Sequence, residues 1–361
     1  MSDVFGNGTA ANALPKIPLL GLTAEEVRPL LPEGVPSYTA KQIVSFCYDG
    51  KSVDEMTSLP KTLRASLSEK FVSVPLVAEK VYESRDGSKK FLFRFGDGSL
   101  AESVFMPHGY GNTVCLSTQI GCKMGCVFCA SGMDGFKRNL LASEILGQAV
   151  AINRMEGGTA KERAVTNIVL MGSGEPLDNY DNVLRFLSDA TRKDGINFSE
   201  RNISLSTSGL CDRIRDLADS GFKITLSISL HGADDSIRSS IMPVNRRYGV
   251  KEVIGAARYY FERTGRRVIF EYILIDGVND SRADAVKLAA LVKGFPAHIN
   301  VIRYNEVDGK SMKSPSVRST EDFVAGLNAL GASATLRHSF GGDIEGACGQ
   351  LKRRYTTEAG K

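Results

Sequence analysis

The sequence predicts an α/β fold: a partial TIM-like barrel of about six βα units, preceded by a small helical accessory domain and a β-hairpin extension. Three observations support this prediction. Apolar residues near the N-terminus have helical spacing, aromatic residues of the next segment stand among charges, and from Thr113 onward short β-branched runs alternate with amphipathic stretches. Repeated βα units imply a parallel sheet with right-handed crossovers.

Residues 22–71 are predicted to be helical. Thr23 precedes two glutamates, which is typical of a helix N-terminus, and apolar residues recur at helical spacing as far as Phe46. Three prolines divide the segment into short helices: Pro32, Pro36 and Pro60. We therefore expect residues 1–75 to form the helical accessory domain.

Residues 81–105 have a different pattern, in which Tyr82, Phe91, Phe93 and Phe95 stand among charged residues. Two glycine-containing turns, residues 86–87 and 96–98, interrupt it. This pattern predicts β-hairpins, and we expect them to form an extension over residues 76–107.

The barrel is expected over residues 108–340, followed by a C-terminal loop and tail over residues 341–361. The predicted strands are residues 113–118, 167–171, 203–207, 224–230, 268–274, 299–304 and 334–338. The main predicted helices are residues 142–154, 182–192, 251–263 and 281–293. In such folds the functional residues lie at the carboxyl ends of the strands.

Composition limits the class of protein. The chain has 361 residues, of which 42% are hydrophobic, enough for a core of more than one layer. A net charge of +4 permits a polyanionic partner without requiring one. No stretch approaches the roughly 20 apolar residues of a membrane span. The N-terminus lacks the pattern of a signal peptide, so we expect a cytoplasmic protein.

Three of the seven cysteines, Cys122, Cys126 and Cys129, form a C-x3-C-x2-C cluster in a glycine-containing loop. Three closely spaced thiolates can hold three irons of a [4Fe–4S] cubane and leave the fourth iron open to a small molecule. A structural zinc site would need a fourth cysteine or histidine nearby. The spacing favours the iron–sulfur cluster, with zinc as the alternative.

This cysteine spacing, with Phe128 before the last cysteine, resembles the signature of radical S-adenosylmethionine (SAM) enzymes. The resemblance implies that the open iron chelates the amino and carboxylate groups of SAM. One electron then cleaves SAM to a 5′-deoxyadenosyl radical. The fold implied is the radical SAM form of the partial barrel, with six βα units.

Polar and glycine residues follow several predicted strands. Gly174 and Glu175 resemble the GEP motif, which in this superfamily contacts the SAM amino group, although an ordinary βα turn has the same pattern. The other strand-end candidates for SAM contacts are Ser206, Ser229, Leu230, His231 and Asn305. Helix N-capping is the alternative role for the hydroxyl groups.

A longer series of motifs is similar to the RlmN/Cfr family of radical SAM 23S rRNA adenine methyltransferases. The motifs are TVCLSTQIGCKMGCVFCASGMDGFKRNL, MGSGEP, LSTSG, SISLH, MPVN, GVND and GDIEGACGQL, in the order of the family. The resemblance implies two SAM molecules per turnover. One methylates Cys348, and the other supplies the radical that activates this methyl group toward adenine. It further implies that Glu102 accepts a proton and that Cys115 attacks Cys348 to release the product.

The same resemblance implies 23S rRNA as substrate, with tRNA as a second candidate and an electron donor such as flavodoxin or ferredoxin. We expect a monomer with no membrane partner.

Methylation at adenine C2 is favoured. The alternative is the Cfr-type C8 methylation that confers ribosomal antibiotic resistance, which Arg303 favours because RlmN-type sequences frequently have proline there. A non-catalytic iron–sulfur or zinc RNA-binding protein is the alternative from another class. Basic residues, among them Lys137, Arg138, Arg246 and Arg247, are candidates to contact RNA phosphates. A solvated surface position is an equally good explanation for such scattered charges.

Overall fold

A ten-stranded mixed sheet organises the part of the chain that the computed structural model describes, which is residues 16–109, 111–306, 311–337 and 340–344. Seven parallel strands form the partial barrel and three antiparallel strands continue it at one edge. The α/β fold class predicted from the sequence is confirmed.

The N-terminal region is helical, as predicted. Short strand β1 (Ile17–Pro18) precedes α1 (Ala24–Val27), α2 (Tyr38–Tyr48) and α3 (Lys61–Lys70), and short strand β2 (Phe71–Val72) pairs with β1 in parallel. Thr23 begins α1 with a capping box: its hydroxyl accepts a hydrogen bond from the N–H of Glu26 at 3.1 Å, and the Glu26 carboxylate accepts one from the N–H of Thr23 at 2.7 Å. Helical turns at Arg28–Leu30 and Val53–Glu55 complete the region.

The predicted hairpins are present as three antiparallel strands, β3 (Leu76–Glu83), β4 (Lys89–Phe95) and β5 (Leu100–Met106). Gly87 and Gly98 have φ angles of +84° and +79° at the two turns, where glycine adopts the left-handed conformation without strain. Strand β5 also pairs with β6 (Thr113–Cys115), the first barrel strand. The hairpins are therefore part of the barrel sheet, while the proposed domain boundaries remain predictions.

The barrel repeats a strand and a helix six times. After β6 come the short antiparallel strands β7 (Gln119–Ile120) and β8 (Arg138–Asn139). The remaining parallel strands are β9 (Asn167–Leu170), β10 (Ile203–Thr207), β11 (Thr225–Ser229), β12 (Val268–Leu274), β13 (Ala297–Arg303) and β14 (Ala334–Leu336). The helices are α4 (Ala142–Met155), α5 (Tyr180–Thr191), α6 (Cys211–Asp219), α7 (Asp235–Ile241), α8 (Val250–Thr264), α9 (Arg282–Leu291) and α10 (Val317–Ala329). No described helix has the length and apolar character to cross a membrane.

The strands bury apolar side chains against the helices and turn polar ones into the barrel. In β12 the buried residues Val268, Phe270, Tyr272 and Leu274 alternate with Glu271, which points to the opposite face. A row of polar side chains crosses four strands in register, from Ser229 through the buried Glu271 and the half-buried Asn300 to the exposed Thr335. The interior therefore offers hydrogen-bonding groups where a solely structural barrel would be filled with apolar side chains.

Candidate functional site

The three clustered cysteines lie in the loop between β7 and β8. These strands pair Gln119 with Asn139 and Ile120 with Arg138, and thereby close the loop at its base. Gly121 has a φ of +74°, and a Cβ there would overlap the carbonyl oxygen of Gly135. Only glycine allows the two ends of the loop to approach this closely.

Neighbouring elements hold this cysteine loop in place. The N–H of Val127 donates to the carbonyl of Ile241 at the end of α7, at 3.0 Å. Lys123 forms a 2.7 Å ion pair with Asp178, which follows the Gly174-Glu175 loop. Phe128 packs edge-on against His231 with ring centroids 4.8 Å apart. The predicted cluster loop and the predicted SAM-binding strand ends are therefore in direct contact.

Burial raises the pKa of the Cys122 thiol to about 12 and that of Cys126 above its usual range. Nearby thiols add to both shifts: Cys129 to the pKa of Cys122, and Cys129 and Cys122 to that of Cys126. Within the described ranges no three metal-binding side chains converge into a preformed site. The three thiols nonetheless lie close enough to repel one another when ionised. Three such soft ligands fit iron, whose charge stabilises their thiolates.

Gly174 and Glu175 follow β9 and lie against the base of the cysteine loop. Gly174 has a φ of +105°, and a Cβ there would stand 2.8 Å from the backbone nitrogen of Gln119. The side-chain oxygen of Gln119 accepts the N–H of Glu175 at 2.8 Å, and its amide donates to Asn139 and Asp178. Close packing of backbone on backbone explains the glycine here.

Replacing Gly174 with alanine is expected to destabilise the protein by about 2–4 kcal/mol, because backbone strain and steric overlap add. Gly221→Ala is the matched control, since Gly221 has a φ of +92° but no atom within 4 Å of the added Cβ. We expect it to cost only about 1 kcal/mol. Urea denaturation measures both free energies of unfolding, and equal losses would contradict the role of close packing.

The Glu175 carboxylate is buried and joins two strand ends. It accepts hydrogen bonds from the N–H of Ser208 at 2.7 Å and the N–H of Leu177 at 3.1 Å. Burial raises its pKa, and the bond from Ser208 acts in the opposite direction. Side-chain hydrogen bonds from Thr207 and Ser208 also lower its pKa, so the end of β10 surrounds the carboxylate.

His231 follows β11 in the left-handed region, with a φ of +55°. Its Nδ1 accepts the N–H of Ile273 at 3.0 Å, so the proton of the neutral ring is on Nε2. Burial, followed by the charge of Arg238, lowers the pKa of His231 to about 3. The ring is therefore neutral at pH 7 and keeps one N–H donor.

The low pKa of His231 predicts a pH-dependent stability. Below its ordinary pKa of 6.5, the unfolded chain binds a proton that the folded protein does not bind until about pH 3. The free energy of unfolding should therefore decrease as the pH is lowered through this window, by about 2–3 kcal/mol from pH 6.5 to pH 4.5. His231→Asn tolerates the positive φ and should lack this component. Urea denaturation of both proteins at both pH values tests it, and identical pH slopes would refute it.

The remaining predicted SAM contacts lie at the same carboxyl edge. Ser206 and Ser229 are half-buried at the ends of β10 and β11, Leu230 donates its N–H to the Glu271 carbonyl at 3.1 Å, and Asn305 is exposed after β13. Among the described residues, Ser227 Oγ on β11 is buried without a hydrogen-bond partner. Unsatisfied buried groups require a partner, and a polar ligand such as SAM fits this need.

Glu102 and Cys115 are brought together by strand register. Cys115 pairs with Val104, and Glu102 lies two residues from Val104 on the same face of β5. Such diagonal neighbours are roughly 7–8 Å apart in Cα position. Glu102 also lines a cavity of about 20 Å³ with Ser131 of the cysteine loop and Ser173 of the β9 end. The proposed base thus lies beside both the cysteine loop and Cys115.

Burial raises the pKa of the Cys115 thiol to about 11, and the charge of Arg337 is the largest opposing influence. Arg337 follows β14, and its Nη1 lies 3.5 Å from Met171 Sδ after β9 and 3.5 Å from Glu271 Oε2. It therefore reaches from the last barrel strand to the second. Its cation favours the thiolate form of Cys115.

Cys348 lies outside the described residues. The last described segment, 340–344, docks on the turn between β3 and β4. Asp343 accepts from the hydroxyl of Ser84 and from the N–H of Arg85, and the N–H of Gly341 donates to Asp86 at 2.8 Å. The chain is thus anchored to the hairpin at Asp343, five positions before Cys348.

Sequence patterns did not reveal several polar residues that build the site. Arg238 and Gln148 are buried on helices, and Asn279 is buried in the GVND motif. Asn279 ties β11 to β12 by donating to the carbonyls of His231 and Ile273 at 2.7 and 2.6 Å. The available signal was a polar residue within an apolar pattern, as with Glu271 in VIFEYIL.

Two expectations about basic residues change with the structure. Arg138 is engaged in ion pairs with Asp97 and Glu144, at 2.6 and 2.7 Å, so it supports the base of the cysteine loop. Arg303 donates its Nε to the carbonyl of Pro315 at 2.8 Å. A local structural contact therefore accounts for Arg303 without reference to the position of methylation.

Comparison with known proteins identifies extensive similarity. Residues 116–289 match the Radical SAM superfamily. The chain is 44% identical over 346 residues to a "Probable dual-specificity RNA methyltransferase RlmN" of Clostridium perfringens, covering 95% of this chain and 98% of that protein. A protein of the same name from Clostridium botulinum is 45% identical over 341 residues, covering 93% and 96%.

One solved structure is similar over nearly its whole length. It is the crystal structure of a radical SAM methyltransferase from Sphaerobacter thermophilus, with a TM-score of 0.87 and 44% sequence identity. The match covers 92% of this chain and 98% of that chain. It therefore includes the N-terminal helices and hairpins as well as the barrel.

Proposed function

The chain belongs to the RlmN family of radical SAM methyltransferases, and from that premise we propose that it methylates C2 of an adenine in 23S rRNA. tRNA is the second proposed substrate, in keeping with the words "dual-specificity" in the names of its relatives. The proposed enzyme acts as a monomer in the cytoplasm and receives electrons from a flavodoxin or ferredoxin.

The proximity of Glu102, Cys115 and the cysteine loop carries the proposal. Glu102 and Cys115 share a face of the sheet, and Glu102 shares a cavity with Ser131 of that loop. A non-catalytic iron–sulfur or zinc RNA-binding protein is not favoured, because the relatives are methyltransferases over nearly the whole chain. C8 methylation is not favoured either, because the relatives reported above carry the RlmN name.

The enzyme uses a [4Fe–4S] cluster and SAM, as its superfamily does. Cys122, Cys126 and Cys129 would hold three irons of the cluster. When bound, the cluster and SAM supply the one-electron chemistry and the methyl group that an unreactive adenine C–H bond requires. The residues proposed to hold SAM are Gly174, Glu175, Ser206, Ser229, Leu230, His231 and Asn305.

Three side chains are proposed to act on the methyl group and the adenine. The Cys348 sulfur carries the methyl group to the adenine. The Glu102 carboxylate accepts the proton lost from C2, for which its position matters more than a raised pKa. The Cys115 thiolate then attacks the Cys348 sulfur, breaks its bond to the transferred carbon and forms a disulfide. The transferred carbon, which lost one hydrogen to the radical, takes up a proton to complete the methyl group, and the unpaired electron left on the adenine returns to the electron-transfer partner. Two electrons from an external reductant restore both thiols.

The test is to incubate anaerobically reconstituted protein with SAM, a reductant and a 23S rRNA fragment, or tRNA, and to digest the RNA for mass spectrometry. We expect 2-methyladenosine from wild-type protein and none from Cys348→Ala. Cys47→Ala is the matched control, since Cys47 is buried in α2 and should be dispensable. If only 8-methyladenosine formed, the proposed methylation at C2 would be wrong. If the RNA remained unmethylated, the proposed reaction would be wrong.

A further inference from the structure

Arg238 is a fully buried arginine on α7, with no solvent exposure. All of its hydrogen-bond acceptors are neutral oxygens. They are the carbonyls of Leu230 at 3.0 Å, Tyr248 at 3.1 Å, Ser229 at 3.4 Å and Ser208, and the amide oxygen of Asn245 at 2.8 Å. These acceptors fix the guanidinium between the ends of β10 and β11, so it cannot turn toward water.

A buried charge normally needs an opposite charge beside it, because desolvation costs several kcal/mol. Within the described ranges, no carboxylate forms an ion pair with Arg238. The nearest candidate is Asp235, whose Oδ1 accepts from Asn245 at 3.0 Å and from the N–H of Val250 at 2.7 Å. Asp235 therefore reaches Arg238 through Asn245 and not directly. Burial lowers the pKa of Arg238 to about 10, so the group remains cationic at pH 7.

The cysteine loop contacts the C-terminal end of α7, one helical turn from Arg238. Ile241, three residues after Arg238, accepts the N–H of Val127 at 3.0 Å and packs in an apolar cluster with Cys126. A Cβ on Gly125 would lie 3.6 Å from Pro243.

We propose that Arg238 is the internal counter-cation of the iron–sulfur cluster and raises its reduction potential. This inference rests on the proposed function, in which Cys122, Cys126 and Cys129 hold the cluster. Reduction adds one negative charge to the cluster, which would lie in a buried region of low dielectric constant. A fixed cation nearby stabilises the reduced form more than the oxidised form. Arg238 is thus a positioning residue that acts on the cluster through its charge.

The experiment is an anaerobic redox titration of the reconstituted cluster, followed by electron paramagnetic resonance. At a fixed potential we expect Arg238→Met to lower the ratio of reduced to oxidised cluster at least ten-fold, which corresponds to about 59 mV. Arg238→Lys retains the charge and should show a smaller change. Iron content and thermal unfolding are measured on each protein, so that a change in potential is not confused with lost cluster.

A second variant tests the charge while keeping the arginine. Exchanging two neighbours, in the double variant Asp235→Asn and Asn245→Asp, preserves the hydrogen-bonding groups and the net charge. It places a carboxylate directly beside the Arg238 guanidinium. We therefore expect it to lower the reduction potential of the cluster, by less than Arg238→Met does. This variant keeps the test decisive if Arg238→Met does not fold.

Two outcomes separate this inference from the proposed function. Variants with full iron content and the wild-type potential would overturn the role of Arg238 and leave it as a tie between strand ends. Wild-type protein that took up no iron would overturn both the proposed function and this inference.

Discussion

Cys126→Ala is expected to abolish methylation and to lower the iron content and the visible absorption of the reconstituted protein. Cys126 is one of three thiols in a loop closed by β7 and β8, and two thiols cannot hold three irons. Loss of an outer-shell partner alone typically costs 10- to 100-fold in metal affinity or activity, so loss of a direct ligand should cost at least about 10³-fold.

Cys47→Ala provides the control for this prediction. Cys47 is also buried, and burial raises its pKa as it does for Cys126, but it lies on α2 outside the cysteine loop. It should retain iron and activity, with a modest loss of stability from the small cavity. The prediction would be wrong if Cys126→Ala bound as much iron as Cys47→Ala.

Cys115→Ala is expected to trap RNA covalently on the protein and to reduce the turnover rate by at least about 10³-fold, as for other lost nucleophiles. Cys115 is the proposed group that releases the product from Cys348. Its thiol is half-buried in the barrel beside Glu102, and Arg337 favours its thiolate. Without this thiol, methyl transfer begins but the link between Cys348 and the adenine is not broken.

Denaturing gel electrophoresis with labelled RNA measures the trapped species, and mass spectrometry of tryptic peptides identifies Cys348 as the attachment site. The double variant Cys115→Ala, Cys348→Ala should form no adduct, because the attachment point is absent. Cys211→Ala, which removes a buried thiol at the start of α6, should turn over normally. Normal turnover by Cys115→Ala would exclude it as the releasing group.

Arg337→Gln would extend this argument to the pH dependence of the Cys115 thiol. Removing the cation should raise the pKa of Cys115 above about 11, and thus slow its alkylation at pH 8. The rate of iodoacetamide labelling in the Cys348→Ala background measures this. An unchanged alkylation rate would show that Arg337 does not act on the thiol.

Much of the fold followed from local patterns. The capping box at Thr23 depends on residues three positions apart. The strands β10 and β12 have the predicted bounds because apolar residues alternate with serines in β10, and β-branched and aromatic residues dominate β12. The cysteine spacing likewise brings the thiols near one another through the chain itself. Three helices, α6, α7 and α10, were not predicted. The helices α6 and α7 have only nine and seven residues, too few for helical periodicity to distinguish them from the flanking segments.

The sequence by itself determined the βα order of the barrel, the cysteine loop and the motifs that placed the chain in its family, because these depend on residues close together in the chain. Only the tertiary structure decided that Glu102 shares a face with Cys115, since this follows from the register of β5 against β6. It also decided that Arg238 is buried among neutral acceptors beside the cysteine loop. Strand pairing and burial bring these residues together although they are far apart in the sequence, so local sequence patterns do not reveal the contacts.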